Sequence, residues 1–151
     1  PEYIYLNSNQ IKTYEDTDIK VKVIAGSFKE VNGLIKKHNI DPTYLDIQII
    51  GDQPFKYNLE NEYNSFIYLY SGSIYLDGKD SEIKSSHLIT LNKGGSLVVK
   101  SKNRAKFLLV SGKPIGEPIA RGGPFVMNTR DEIISAINDY NNGTFVKAGV
   151  K

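Results

Sequence analysis

Few residues of this chain could carry out chemistry, and their types and spacing exclude most catalytic classes. The 151 residues include no cysteine and only two histidines. Without cysteine the chain has no disulfide, no thiolate metal site and no thiol nucleophile. His38 lies in a basic polar segment, and His87 opens a predicted strand after two serines. We interpret both as surface or capping histidines.

The acidic pairs and the glycine pairs do not form a recognisable catalytic motif either. Asp16-Thr-Asp18 and Glu60-Asn-Glu62 lie in polar, loop-like sequence, whereas a catalytic carboxylate pair needs a desolvated pocket. Gly94-Gly95 and Gly122-Gly123 are isolated pairs, which are more typical of turns than of a phosphate-binding loop. The Gly-x-Ser-x-Gly motif of serine hydrolases is missing from the sequence. We therefore predict no catalytic residues.

The chain is mildly basic, with a net charge of +2 and two short basic clusters. The first is Lys36-Lys37-His38, and the second alternates basic and small polar residues over 100–106. Such alternation is typical of the solvated edge of a hairpin, so we expect no nucleic-acid partner. No apolar run approaches the ~18–20 residues of a membrane span, and no signal-peptide core opens the chain. We expect a cytoplasmic protein without a membrane partner.

Short segments of alternating apolar and polar residues recur along the chain and predict strands. Within 44–49, Leu45, Ile47 and Ile49 share one face of the predicted strand. The segment 66–70 is apolar on both faces, which favours a central strand. Further strands are predicted at 19–23, 74–76, 87–91, 97–99 and 107–110. Many short strands separated by turn residues predict an all-β sandwich or jelly roll.

The C-terminal part of the chain predicts an extended segment followed by one helix. Three prolines within 112–128 fix φ and remove backbone donors, which favours an extended path. Thr129 can cap a helix over about 130–141, and Glu132 can complete a capping box. Gly143 is placed to end this helix. Its predicted apolar stripe, which we expect to pack on the β-strand part of the chain, is formed by Ile133, Ala136, Ile137 and Tyr140.

Several of these segments carry a family resemblance. Residues 112–133, 66–72, 107–112 and the opening Pro1-Glu2-Tyr3 resemble, in the same order, the C-terminal domain of pirins, a family of two-domain cupin proteins (bicupins). The resemblance implies a cupin-like jelly-roll barrel, or double-stranded β-helix, with a short C-terminal α-helix. It implies one domain over 1–151, with strands at about 3–111 and an extended Pro/Gly tail at 112–128.

Some cupin barrels bind a metal ion through His-x-His, a Glu and a last His at recognisable spacing, so this spacing can be compared with the sequence. Laying that spacing on this chain from Gly51 and Gly72 puts Tyr57, Leu59, Ser65 and Leu97 at the four positions. None of these side chains is a suitable transition-metal ligand in that role. We therefore predict no metal ligands and no cofactor in this chain.

The resemblance also implies what the chain does. Whole pirins are implied to hold iron through three histidines and a glutamate of the first domain, and none of those positions exists here. Some pirins show quercetin 2,3-dioxygenase activity, and eukaryotic members act as transcriptional co-regulators. The chain is thus expected to be a metal-free C-terminal domain that is not catalytic alone. Its expected partner is a first cupin domain or a second copy of itself.

A second interpretation is a free-standing single-cupin protein that binds a small molecule in its barrel. The side chains that could line such a pocket are Tyr57, Ser65, Tyr68 and Tyr70. A chain that begins at Pro1 fits either interpretation, as a fragment or as a processed protein.

Overall fold

The computed structural model describes residues 5–35 and 39–146 and confirms an all-β fold with one helix. Its strands follow one another along the chain as β1 (Lys12–Glu15), β2 (Ile19–Ala25), β3 (Ser27–Phe28), β4 (Val31–Asn32), β5 (Thr43–Ile49), β6 (Phe55–Leu59), β7 (Asn64–Ser71), β8 (Ser73–Leu76), β9 (Ile83–Lys84), β10 (His87–Thr90), β11 (Gly95–Lys100), β12 (Ala105–Gly112), β13 (Ala120–Gly122) and β14 (Phe125–Met127). The helix, α1, spans Arg130–Asn141.

Two antiparallel sheets make up the body of the fold. The larger has six strands in the order β1-β2-β5-β12-β7-β10, and the smaller has four in the order β6-β11-β8-β9. Strand β12 lies inside the larger sheet and pairs with β5 on one side and β7 on the other. A short hairpin, β3–β4, follows β2. Every strand predicted from the alternating pattern is present.

The core lies between these two sheets, because alternate residues of their strands face inwards. Strand β2 alternates fully buried and partly exposed residues along its length, and β5 does the same from Leu45 onwards. Phe55 of the smaller sheet meets Phe107 of the larger one edge to face, with ring centroids 5.6 Å apart. Phe28 stacks on Phe55 at 5.4 Å. Burial of these aromatic and aliphatic side chains is the main stabilising contribution to the sandwich.

From Ile115 onwards the chain forms a second compact unit, separate from the one that ends at Pro114. Contrary to the prediction, the tail over 112–128 is not extended throughout, because the chain turns back on itself at Gly123, whose φ is +56°. Strands β13 and β14 pair as a hairpin on either side of this turn. The turn role predicted for the Gly122–Gly123 pair is confirmed. Helix α1 packs on this hairpin, with Phe125 and Tyr140 at a ring-centroid distance of 6.2 Å.

The predicted capping box of α1 is confirmed. The N–H of Glu132 donates to Thr129 Oγ1 at 3.3 Å, and the N–H of Thr129 donates to Glu132 Oε2 at 2.8 Å. Gly143, with φ of +71°, follows the last turn as predicted. Ile133 and Ala136 are buried, but Ile137 is 39% and Tyr140 68% exposed, so only half of the predicted stripe is buried. Docking of the helix on the barrel stays a prediction.

No helix in the described ranges, 5–35 and 39–146, is long and apolar enough to cross a membrane.

Candidate functional site

A cavity of about 620 Å³ opens at one end of the sandwich. Its walls come from the β3–β4 hairpin, from the segment that leads into β5, and from β6 with the turn after it. Hydroxyl, carboxylate and amide groups surround two tyrosine rings. The lining residues are Gly26, Ser27, Asn32, Gly33, Ile35, Asp41, Pro42, Thr43, Tyr57, Glu60 and Tyr63. We call this space the end cavity.

Tyr57 forms a rigid side of the end cavity. Its ring stacks in parallel with Phe55 at 6.4 Å and with Phe28 at 6.5 Å, so packing against the core fixes its orientation. Its hydroxyl lies 3.5 Å from Thr43 Oγ1, at the outer limit of a hydrogen bond. The Tyr57 hydroxyl is therefore held in place by its ring and is weakly bonded.

Asp41 and Tyr63 form the polar side of the same cavity. Asp41 is half-buried and has φ of +41°, a conformation that Asp and Asn adopt more readily than most residues. The Tyr63 hydroxyl donates to Asp41 Oδ2 at 2.8 Å. This hydrogen bond raises the pKa of Tyr63 above its ordinary value.

The four residues predicted to line one pocket are not brought together. Tyr57 lines the end cavity, whereas Ser65 is buried between the sheets and bonds to Ser111 at 2.7 Å. Tyr68 and Tyr70 are 39% and 40% exposed. The inward residues of β7 are Ser65, Ile67 and Leu69, so strand alternation places both tyrosines on the outer face. The prediction that they face the barrel interior is wrong.

Tyr70 contributes instead to a polar cleft on the outer face. Its hydroxyl donates to Asp46 Oδ1 at 2.7 Å. Partial burial, followed by this hydrogen bond, raises the pKa of Tyr70. The remaining side chains around the cleft are Lys20, Lys22, Gln48 and Lys106. Three lysines and one carboxylate form a solvated polar surface.

The positions that correspond to cupin metal ligands do not fit a metal ion. Leu97 is buried, Leu59 packs against the core, and Ser65 is bonded to Ser111. Nowhere in residues 5–35 and 39–146 do three or more His, Asp or Glu side chains converge as metal ligands would. The donor chemistry in this part of the chain therefore does not suit iron or zinc.

The other residues considered for chemistry have identifiable structural roles. His87 is exposed, and its Nδ1–H donates to the carbonyl oxygen of Lys84 at 2.9 Å. Asp16 accepts from two backbone N–H groups of its own turn, and Asp18 Oδ1 accepts from the N–H groups of Asp52 and Gln53. These acidic side chains hold loops in place. His38 lies outside the described residues.

The outer face of the larger sheet is divided into a polar half and an apolar half. The polar half on β2 and β5 carries Lys20, Lys22, Asp46 and Gln48. On the other side, neighbouring strands place apolar side chains next to one another, as in the pairs Leu108–Tyr68 and Tyr68–Leu88. Leu88 is 59% exposed. The members of this outer apolar patch are Tyr44, Phe66, Tyr68, Leu88, Leu108 and Val110.

The two facing sheets, with their strand order, define the chain as a cupin. A quercetin 2,3-dioxygenase structure from Acinetobacter baumannii superposes with a TM-score of 0.83 at 24% identity, over 95% of this chain and 50% of that one. The chain belongs to the pirin family, because the family model for the pirin C-terminal cupin domain matches residues 44–146.

Individual relatives agree with this assignment. Human pirin is 34% identical over 147 residues, which cover 94% of this chain and 50% of pirin. A Pseudomonas aeruginosa protein, provisionally named a quercetin 2,3-dioxygenase, is 35% identical over 130 residues, or 83% of this chain and 46% of that protein. The chain thus spans about half the length of the curated relatives it matches.

Proposed function

We propose that this chain is the metal-free C-terminal cupin domain of a pirin-like protein and acts as the structural and interaction partner of an iron-binding first cupin domain. Family membership and the coverage of only half of each relative support the architecture. The unfavourable donor set at Tyr57, Leu59, Ser65 and Leu97 supports the metal-free state. Catalysis in such a protein belongs to the first domain.

The outer apolar patch is the observation that carries the partner role. A single sheet that faces water on one side normally alternates apolar and polar residues, as β2 does with its outward lysines. Strands β12, β7 and β10 depart from this rule, since Leu108, Tyr68 and Leu88 lie side by side on the outer face. Contiguous apolar surface of this kind is typical of an interface.

The occupant we assign to this patch is the first cupin domain. Each relative carries an additional length about equal to this chain, which is enough for another domain of the same size. The polar half of the same face, with Lys20 and Lys22, would form the hydrated rim of the contact. An interface centred on Tyr68 and Leu88 would bury aromatic and aliphatic side chains of the kind that anchor stable contacts.

The test is association with the half of the Pseudomonas aeruginosa relative that this chain does not cover. We expect a one-to-one complex by light scattering after co-expression, and we expect Leu88→Lys to weaken it at least about tenfold. Lys22→Glu, on the polar half of the same face, serves as the matched control and should have a much smaller effect.

Three outcomes would overturn this assignment. If the chain remains monomeric at high concentration and does not associate with the first domain, the outer apolar patch is not an interface. A complex that is weakened by Lys22→Glu but not by Leu88→Lys places the contact on the polar half of the face and not on the outer apolar patch. A homodimer of this chain alone that Leu88→Lys dissociates makes a second copy the occupant.

A further inference from the structure

We propose that the end cavity binds a small, neutral, polyhydroxylated molecule of the size of a sugar. This site is distinct from the outer apolar patch, and it does not depend on the partner assigned to that patch. Its volume of about 620 Å³ falls within the range of ligand pockets, roughly 300–1,000 Å³. The ligand class follows from the groups that line it.

Carboxylate oxygens supply the acceptors of the site. Asp41 Oδ2 already accepts from Tyr63, which leaves Oδ1 to accept from a ligand. Glu60, in the turn after β6, adds an exposed carboxylate to the lining. Hydroxyl groups of a ligand would donate to these oxygens in charge-assisted hydrogen bonds, which are stronger than neutral ones.

Hydroxyl and amide groups supply the complementary donors. Among the described residues, the Tyr57 hydroxyl has one hydrogen-bond contact, with Thr43 Oγ1 at 3.5 Å. Because this contact is weak, the O–H bond of Tyr57 can rotate to donate to a ligand while the ring stays in place. Ser27 and Asn32 on the β3–β4 hairpin add groups that donate or accept. Ligand hydroxyls, which also donate and accept, match this mixture better than a group that only donates or only accepts.

The ring of Tyr57 gives the site a preformed surface. Because it stacks with Phe55 and Phe28, the ring does not need to be ordered when a ligand binds. The C–H faces of a saturated ring can lie against such an aromatic surface while its hydroxyls reach Asp41 and Thr43. The two carboxylates of the lining, Asp41 and Glu60, disfavour an anionic ligand.

The experiment is a titration of the full chain followed by backbone amide NMR signals, with D-glucose, D-galactose and sorbitol as neutral probes. Glucosamine and glucuronate serve as cationic and anionic probes of the same size. We expect at least one neutral probe to shift the amide signals of Gly26, Gly33 and Thr43, and glucuronate to bind about tenfold or more weakly.

Two variants test the assigned groups. Asp41→Asn keeps the shape and tolerates the positive φ, and it should weaken the best neutral probe by roughly tenfold or more. Tyr57→Phe keeps the stacked ring and removes the hydroxyl, and it should weaken binding by roughly 2–10-fold. Tyr75→Phe, on the outward side of β8 and outside the cavity lining, should leave binding unchanged. Amide signals outside the cavity report whether each variant is folded.

The proposal is overturned if none of the neutral probes shifts these signals. It is equally overturned if glucosamine or glucuronate binds more tightly than every neutral probe, since the ligand would then be charged. Binding that persists unchanged in folded Asp41→Asn and Tyr57→Phe places the ligand outside the end cavity.

Discussion

Ser65 and Ser111 face each other across β7 and β12, and their hydroxyl oxygens lie 2.7 Å apart inside the sandwich. Both residues are buried, at 6% exposure, so each hydroxyl relies on the other instead of water. Counting back from Gly72 along the sequence, Ser65 is also the residue expected where metal-binding cupins carry a glutamate.

This pair predicts a measurable coupling in stability. Ser65→Ala leaves the Ser111 hydroxyl buried without its partner and should cost about 1–3 kcal/mol of unfolding free energy. The double variant with Ser111→Ala should cost less than the sum of the two single variants, because no unpaired hydroxyl remains. Urea unfolding of the four proteins measures this. Exposed Ser96→Ala is the control, and additive losses at Ser65 and Ser111 would contradict the coupling.

The turn between β1 and β2 predicts a dependence of stability on pH. Backbone N–H groups of Ile19 and Asp18, each at 2.9 Å, lower the pKa of Asp16 to about 2. Because the unfolded chain then binds protons more readily, this carboxylate stabilises the fold fully above about pH 4 and loses its effect as the pH falls towards 2.

Unfolding measured across this window should show the difference between wild type and Asp16→Asn shrinking as the pH falls. The size of the difference is small, because Asp16 is exposed and screened by water. Asp80→Asn, in the loop after β8, is the control variant for the substitution itself. A wild-type advantage that grows towards pH 2 would show that Asp16 does not act in this way.

Helix α1 predicts unequal effects along its apolar stripe. Ile133 is 5% exposed and packs against Gly122, where an added Cβ would clash with Ile133 Cγ2. Ile133→Ala should therefore cost about 2–5 kcal/mol of unfolding free energy. Ile137 is 39% exposed, so Ile137→Ala should lower the unfolding free energy by less than about 1 kcal/mol. Thr129→Ala should cost about 1 kcal/mol through the lost cap. Thermal unfolding compares the three, and equal losses at Ile133 and Ile137 would contradict this packing.

The metal-free assignment predicts the composition of the purified chain. Elemental analysis should find well under one iron or zinc ion per chain, since no suitable ligands stand at the four cupin positions. Quercetin turnover by the chain should not exceed that of free iron, with the Acinetobacter baumannii quercetin 2,3-dioxygenase as the positive control. One tightly held ion per chain that His87→Ala removes would refute the assignment.

The sequence predicts the strands and the helix well because their signals are local. The alternation of Leu45, Ile47 and Ile49 identifies the buried face of β5, and all three are buried. The capping box at Thr129 depends on residues three positions apart, and it forms as predicted. Both features depend only on residues that are close together in the sequence, so the sequence pattern alone is enough to predict them.

The pocket could not be predicted in the same way. Strand β7 is apolar on both faces, so alternation alone does not say whether Tyr68 or Leu69 faces inwards. The pairing of β7 with β12 decides this, and it buries Leu69 while exposing Tyr68. The end cavity cannot be read from the sequence, because Asp41 and Tyr63 come from separate loops that only the folded sheets bring together. A tyrosine three residues after an acidic one, as Tyr63 follows Glu60, is too common a pattern to indicate a site.

The position of β12 within the larger sheet has a consequence for how the chain acquires its structure. Leu109 pairs with Leu45 and with Ile67, both far earlier in the sequence. The edges of β5 and β7 that face each other can therefore be paired only after the later strand β12 is inserted between them. Loop closure over such distances makes folding slow, in the millisecond-to-second range typical of non-local β-topologies. Until β12 is in place, these unpaired strand edges are where aggregation would begin.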